Sequence, residues 1–268
     1  MAGLKRGLTA TLMTGWAAVS LAQSSNTLVV PNSLAGVEGN IDNGYPFNIG
    51  TNSTMRYQQI YAASQFGAMP AGGAFITGIA FRLDANWGSF STTLPAVQIN
   101  LSTTSKAPDG LTTTFASNVG NNDTVVFNGA LSLSSAASGR PAAFDILVPF
   151  TTAFFYNPAA GNLLLDVRNS GGGTSSLFDA VSATSDSVSR AYNPVNSSTG
   201  STDSIGLVTE FVFQPGQQPP VIVVQPQGQR ISCGGDRVSA PTRQAFLRSP
   251  TNGDVTGETL PATPSVGW

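Results

Sequence analysis

The sequence contains no histidine, a single cysteine (Cys233), and charged side chains at only 10% of its 268 positions. Without histidine, the chain cannot build serine–histidine or cysteine–histidine nucleophile systems, or a zinc site with histidine ligands. One thiol cannot form an internal disulfide, so the stability of the fold must come from its core. The net charge of −2 excludes electrostatic binding of nucleic acid, which requires clustered lysine and arginine.

Carboxylate pairs are the remaining route to catalysis. Glycoside hydrolysis needs two carboxylates about 5–10 Å apart across a cleft. The first predicted domain has two glutamates, Glu38 and Glu210, and no E-x-D-x-E motif. Glu210 is expected on a solvent-facing side, and Asp166 is expected in a surface ion pair with Arg168. The sequence therefore favours a protein that is not an enzyme, with a carbohydrate-active enzyme or its accessory domain as the alternative.

Residues 1–22 have the pattern of a secretory signal peptide. Lys5 and Arg6 form a positive start, an uncharged and largely apolar run follows, and small residues precede a cleavage point between Ala22 and Gln23. A short membrane anchor is the alternative, but the apolar run is shorter than the roughly 18–20 residues that cross a bilayer. We expect a secreted or cell-surface protein whose mature chain has no membrane span.

Hydrophobic and polar residues alternate from Thr27 onward, which predicts antiparallel sheets that are buried on one face. Clusters of glycine, asparagine and aspartate separate these segments, and no amphipathic helix is predicted. The expected fold is all-β, an antiparallel two-sheet sandwich with a jelly-roll-like arrangement over residues 23–213. In the segment 75–84, one face is expected inward and the other in solvent: Phe75, Thr77, Ile79, Phe81 and Leu83 inward, Arg82 and Asp84 outward.

Two loops carry candidate binding residues. Asp84, Asn86, Asn121 and Asp123 offer oxygen ligands for calcium, the one ion that the sequence suggests, although Asx-turns explain the same residues and are favoured. No other cofactor is expected. Trp87, the tryptophan of the first domain, is a candidate for stacking on a sugar ring, and the alternative is that it caps one end of the sandwich.

A proline-, glutamine- and glycine-rich segment at 214–220 predicts a domain boundary. The next segment, 221–240, reads as strand, turn and strand, and it resembles the first strands of bacterial immunoglobulin-like modules. Pro220, Ile222, Gln225, Pro226 and Gln229 carry this resemblance. A complete module of this kind needs about seven strands and ~100 residues. We therefore expect only an incomplete module here.

Residues 241–268 lose the hydrophobic alternation and are predicted to form a disordered tail. A shift of the reading frame would explain this loss. Each triplet of the other frame joins the third base of one codon to the first two bases of the next codon. Over the ten such triplets from Leu247 to Gly257, the bases permit a strand-like segment that contains a tyrosine and a tryptophan. That permitted segment resembles the third strand of the same immunoglobulin-like modules, whose tryptophan packs in the core. We interpret the tail as an out-of-frame remnant, and an authentic disordered tail is the alternative.

The first domain resembles a group of uncharacterised bacterial secreted β-sandwich proteins. The resembling stretches are 56–66, 75–84, 94–104, 124–135, 144–150 and 161–169. The resemblance implies export from a bacterium and a surface or extracellular role, and it transfers no catalytic residue. We expect a non-enzymatic module for adhesion, matrix structure or glycan binding, whose partner is an extracellular glycan or the cell-surface matrix.

Overall fold

The protein is described over residues 26–216 by a computed structural model. Within this range the chain forms fifteen β-strands, four short 3-10 helices and no α-helix. The predicted signal peptide with its cleavage point at Ala22 and Gln23, the residues 217–220 of the predicted linker, the immunoglobulin-like strands at 221–240 and the tail at 241–268 all lie outside the described residues. The strands are β1 (Asn26–Val30), β2 (Ile41–Asn43), β3 (Gly50–Thr51), β4 (Met55–Tyr61), β5 (Ala74–Phe81), β6 (Phe90–Thr104), β7 (Thr124–Ser135), β8 (Ile146–Tyr156), β9 (Asn162–Asn169), β10 (Gly172–Gly173), β11 (Phe178–Ser182), β12 (Val188–Asn193), β13 (Ser201–Asp203), β14 (Ile205–Leu207) and β15 (Thr209–Pro215). The 3-10 helices are Asn32–Leu34, Ala63–Phe66, Phe115–Asn118 and Pro158–Ala160.

Two antiparallel sheets form the body of the fold. One has six strands in the order β13-β12-β4-β9-β6-β7, and the other has four in the order β1-β15-β5-β8. A shared core of buried side chains from both sheets lies between them, including Ile99, Val167, Ile79 and Phe211. Two small sheets, β14-β11-β2 and β10-β3, complete the structure. The prediction of an all-β antiparallel sandwich is therefore confirmed.

The prediction for the segment 75–84 was wrong in part, because β5 contains a bulge. The pairing of β5 with β8 shifts register between Ile76 and Gly78. One extra residue reverses which side chains face the core. Ile76 and Ile79 are consequently both buried, whereas Phe75, expected inward, is 38% exposed.

The outer face of the six-stranded sheet is covered where the sequence predicted solvent. The loop between β6 and β7 carries Leu111 and Phe115 over this face, where they pack on Ile60 and Leu164. This loop therefore shields from solvent several side chains that were expected to face water. This cover explains why Asp166, predicted as a surface residue, is only 2% exposed.

The prediction that Asp166 pairs with Arg168 was also wrong about the main partner. Arg56 contacts both carboxylate oxygens of Asp166, with Nε 3.1 Å from Oδ1 and Nη2 2.5 Å from Oδ2. Arg168 lies farther away, 3.7 Å from Oδ2. Gln58 Nε2 donates a third hydrogen bond to the same carboxylate at 3.0 Å. Because Asp166 is fully engaged in this network, its role is to hold β4 and β9 together.

Candidate functional site

One of two open grooves on the described surface lies beside β12, and we call it the tyrosine groove. Its volume is about 450 Å³. Two aromatic rings, Tyr45 and Tyr192, form part of its wall, with ring centroids 5.3 Å apart and ring planes tilted by 48°. The full lining consists of Tyr45, Ile49, Ser53, Thr54, Met55, Tyr192, Asn193 and Pro194. No side chain in this lining carries a charge.

Arg190 holds both rings of the tyrosine groove in place. Because Arg190 and Tyr192 are two residues apart on β12, their side chains leave the same face of the strand. The Arg190 guanidinium lies 4.7 Å from the ring centre of Tyr192 and 5.7 Å from that of Tyr45. Both distances are within the range of a cation–π contact. The buried Arg190 side chain therefore contacts and orients both tyrosine rings.

The charge of Arg190 is compensated inside the protein. Asp203 accepts hydrogen bonds from Nε at 2.7 Å and from Nη2 at 2.9 Å, and Asn43 Oδ1 accepts one from Nη1 at 2.8 Å. Burial is the largest single influence on the pKa of Arg190 and lowers it, but the hydrogen bonds to Asp203 together with the nearby Tyr57, Asp203 and Tyr192 shift the pKa upward overall. Asn43 also bonds the backbone of Tyr45 in both directions. The wall of the groove is thus preorganised by buried polar contacts.

The groove offers unpaired hydrogen-bonding groups to a ligand. Within residues 26–216, neither the Tyr45 nor the Tyr192 phenol oxygen has a hydrogen-bond partner. The amide nitrogen of Asn193 is engaged, donating to Ser197 Oγ at 3.1 Å and to the Thr199 carbonyl at 2.7 Å. The free end of this side chain is accordingly its carbonyl oxygen, which can only accept a hydrogen bond.

A second groove of about 510 Å³ lies on another part of the surface, and we call it the polar groove. Its wall has no aromatic ring and includes one carboxylate, Asp186. Asp186 Oδ1 accepts a hydrogen bond from the Val188 amide at 2.9 Å, and Oδ2 has no partner. Burial raises the pKa of Asp186. The remaining lining consists of Pro31, Asn32, Ser33, Leu34, Ala62, Ser64, Gln65, Val181, Ala183, Ser185 and Ser187.

Three carboxylates meet at the end of β5 and form what we call the acidic cluster. Oxygen atoms of Glu38, Asp84 and Asp179 lie within 4.8 Å of one another. Arg82 provides the balancing charge, with Nη2 2.7 Å and Nε 2.8 Å from Asp179 Oδ2. Arg82 was expected in solvent, and that expectation was wrong: it is 1% exposed. The loop before β2 covers Arg82, whose guanidinium donates to the carbonyls of Leu34 and Val37.

The acidic cluster favours protonation of its carboxylates. Both carboxylate oxygens of Glu38 are buried, and neither has a hydrogen bond of full geometry. Burial raises the pKa of Glu38, and the nearby charge of Asp179 raises it further. The charge of Arg82 and a weak backbone contact with Ala142 lower the pKa of Glu38 only in part. Burial also raises the pKa of Asp179, although Arg82 opposes the shift. Because one guanidinium faces three carboxylates, the ionised cluster holds excess negative charge, which proton uptake at Glu38 relieves.

The calcium candidates predicted from the sequence are not brought together. Asp84 Oδ1 accepts hydrogen bonds from the Asn86 amide at 2.9 Å and from its side chain at 3.0 Å, as in an Asx-turn. Asp123 instead bonds the Asn100 side chain at 2.9 Å, near the opposite end of β6, and Asn121 belongs to the same distant turn. Of the four, only Asp84 meets other carboxylates, in the acidic cluster.

Trp87 and Glu210 lie outside both grooves and outside the acidic cluster. Trp87 is 42% exposed as a residue, and its Nε1 donates a hydrogen bond to Asp42 Oδ2 at 3.0 Å. Glu210 stands on β15 between Val29 and Ala80 of the neighbouring strands. Burial raises the pKa of Glu210, and a hydrogen bond to Thr27 opposes this shift.

Sequence reasoning missed the tyrosine groove. One signal was available, because 190-RAY-192 places an arginine and a tyrosine on one face of a predicted strand. Tyr45 reaches the groove from a distant part of the chain, and no local sequence pattern predicts this approach.

No family model, curated protein or solved structure matches the chain. Over residues 26–216, no helix is long and apolar enough to cross a membrane.

Proposed function

We propose that this chain is a secreted bacterial module of the cell surface or extracellular space that binds its partner without transforming it, in adhesion, matrix structure or glycan binding. The tyrosine groove carries the proposal. A preorganised wall with two aromatic rings and unpaired hydroxyl groups is suited to reversible binding. The signal-peptide pattern that ends at Ala22 supports export.

The lining of the two grooves supports a binding role over hydrolysis. The tyrosine groove has no carboxylate in its wall, and the polar groove has one, Asp186. Hydrolysis of a glycosidic bond usually requires an acid and a second carboxylate facing each other across the sugar. Neither groove provides that pair from its own lining.

A second candidate function rests on the acidic cluster. Glu38, with a pKa raised by burial, stands close to Asp84 and Asp179. A carboxyl group with a raised pKa close to a second carboxyl group is an arrangement that glycosidases use for acid–base work. This observation favours a carbohydrate-active enzyme or its accessory domain as the alternative.

Two measurements test the proposal. The full chain is expressed with its N-terminal segment in a secreting bacterium, and the exported protein should begin at Gln23. The exported protein is then incubated with insoluble cell-wall and matrix polysaccharides, and both retention and release of reducing ends are measured. We expect retention without release. If reducing ends are released, and this release disappears in Glu38→Gln but persists in the matched control Glu210→Gln, the binding proposal is overturned in favour of catalysis at the acidic cluster.

A further inference from the structure

We propose that the tyrosine groove binds an uncharged glycan, with one sugar ring stacked against Tyr192 or Tyr45 and its hydroxyl groups bonded to the groove wall. This proposal rests on the proposed binding function and names the ligand class and the site. Sugar rings present C–H groups on their faces and hydroxyl groups around their rims. A wall of aromatic rings edged by neutral polar groups complements both features.

The uncharged lining sets the charge of the ligand. Arg190, the cation that contacts both tyrosine rings, is 5% exposed and is paired with Asp203 through two hydrogen bonds. An acidic sugar therefore gains no unpaired cation in the groove and loses part of its hydration on entering it. A neutral sugar has no such cost, and its binding should be insensitive to salt.

The free hydrogen-bonding groups distinguish a glycan from a proline-rich peptide, the other ligand that aromatic-lined grooves often take. Because its nitrogen is already engaged, Asn193 presents only its carbonyl oxygen, and this oxygen requires a donor. A proline-rich peptide has few N–H groups because proline has none. Sugar hydroxyl groups both donate and accept, so they can satisfy Asn193 as well as the phenol oxygens of Tyr45 and Tyr192.

The test begins with a panel of soluble oligosaccharides and the full chain. Neutral gluco-, galacto-, manno- and xylo-oligosaccharides are compared with uronate-containing and sulfated ones, and with a proline-rich peptide. We expect at least one neutral series to bind, with less than about twofold change in Kd between 0.05 and 0.5 M NaCl. Binding of charged glycans alone, or of the proline-rich peptide alone, overturns the proposal.

Variants then locate the binding. Tyr192→Ala should weaken binding of the neutral oligosaccharide by about tenfold or more, because a stacking contact of ~1.4 kcal/mol corresponds to tenfold in Kd. Tyr192→Phe keeps the ring and should stay within about threefold of the wild type. Trp87→Ala, a change of another exposed aromatic residue outside the groove, should leave Kd unchanged. The proposal is overturned if oligosaccharide binding is lost in Trp87→Ala while Tyr192→Ala has no effect on Kd.

A surface pair of variants covers the case in which Tyr192→Ala does not fold. Ser53 lines the tyrosine groove and Ser33 lines the polar groove, and both are exposed. Ser53→Glu adds bulk and charge to the tyrosine groove and should weaken binding by about tenfold or more. Ser33→Glu is the matched control and should bind as the wild type does. If polysaccharide retention persists in both variants, the groove assignment fails while the binding function stands. If the wild type binds neither the oligosaccharides nor the insoluble polysaccharides, the groove assignment and the proposed binding function both fail.

Discussion

Arg82 is predicted to be the side chain whose loss destabilises this fold most through electrostatics. It forms an ion pair with Asp179 in which the side chains are 1% and 0% exposed. Removing one partner of such a pair leaves an uncompensated buried charge and costs about 3–5 kcal/mol. Arg82 also donates to backbone carbonyls of the loop before β2, including that of Leu34 at 2.9 Å. We therefore expect Arg82→Met to lower the free energy of unfolding by about 3–5 kcal/mol.

A double-mutant cycle separates the ion pair from the packing of the arginine stem. For a domain of this size, each kcal/mol shifts Tm by roughly 2–4 °C, so Arg82→Met should unfold about 6–20 °C below the wild type. In the pair Arg82→Met/Asp179→Asn the buried charge is gone, and the loss should be at least ~1 kcal/mol smaller than the sum of the single losses. Urea unfolding of all four proteins gives the cycle. Additivity within about 0.5 kcal/mol would refute the claim that the two side chains are coupled.

The remaining predictions concern protonation, the covered sheet face and a tight turn. Because burial raises the pKa of Glu38 above its ordinary value of 4.5, the folded state holds this proton more firmly than the unfolded chain. Stability should therefore fall as pH rises from ~4.5 through the raised pKa, and Glu38→Gln should flatten this slope of Tm against pH. Asp166→Asn should cost about 1–3 kcal/mol in urea unfolding, because it weakens the charge-assisted bonds to Arg56, whereas unchanged stability would mean that the pair contributes nothing. Gly73→Ala should destabilise the fold measurably in a thermal melt, because φ is +96° and the added Cβ would lie 2.6 Å from the Tyr156 carbonyl oxygen.

The sequence predicts the sandwich because the alternation of hydrophobic residues is a local property. In β9, for example, Leu163, Leu165 and Val167 were expected inward, and all three are buried. The errors arise where a distant segment intervenes. The bulge in β5 depends on how that strand pairs with β8, and it reverses the orientation expected for Phe75.

The burial of the charged side chains could not be predicted in the same way. Arg82 and Asp166 occupy polar positions of an alternating pattern, which normally face water. Each is covered by a loop whose path is not encoded in the strand: the residues before β2 cover Arg82, and the loop carrying Phe115 covers Asp166. The tyrosine groove is hidden from sequence reasoning for the same reason, since Tyr45 reaches Tyr192 only in the folded chain.

Fluorine NMR of the full chain labelled with 3-fluorotyrosine tests the glycan assignment most directly. The sequence has five tyrosines, of which Tyr57, Tyr61 and Tyr156 are buried, and Tyr45 and Tyr192 line the groove. On titration with the neutral oligosaccharide that binds, the two groove resonances should shift together and saturate at the same Kd, while the three buried ones stay in place. Saturable binding that leaves both groove resonances unchanged would contradict the account.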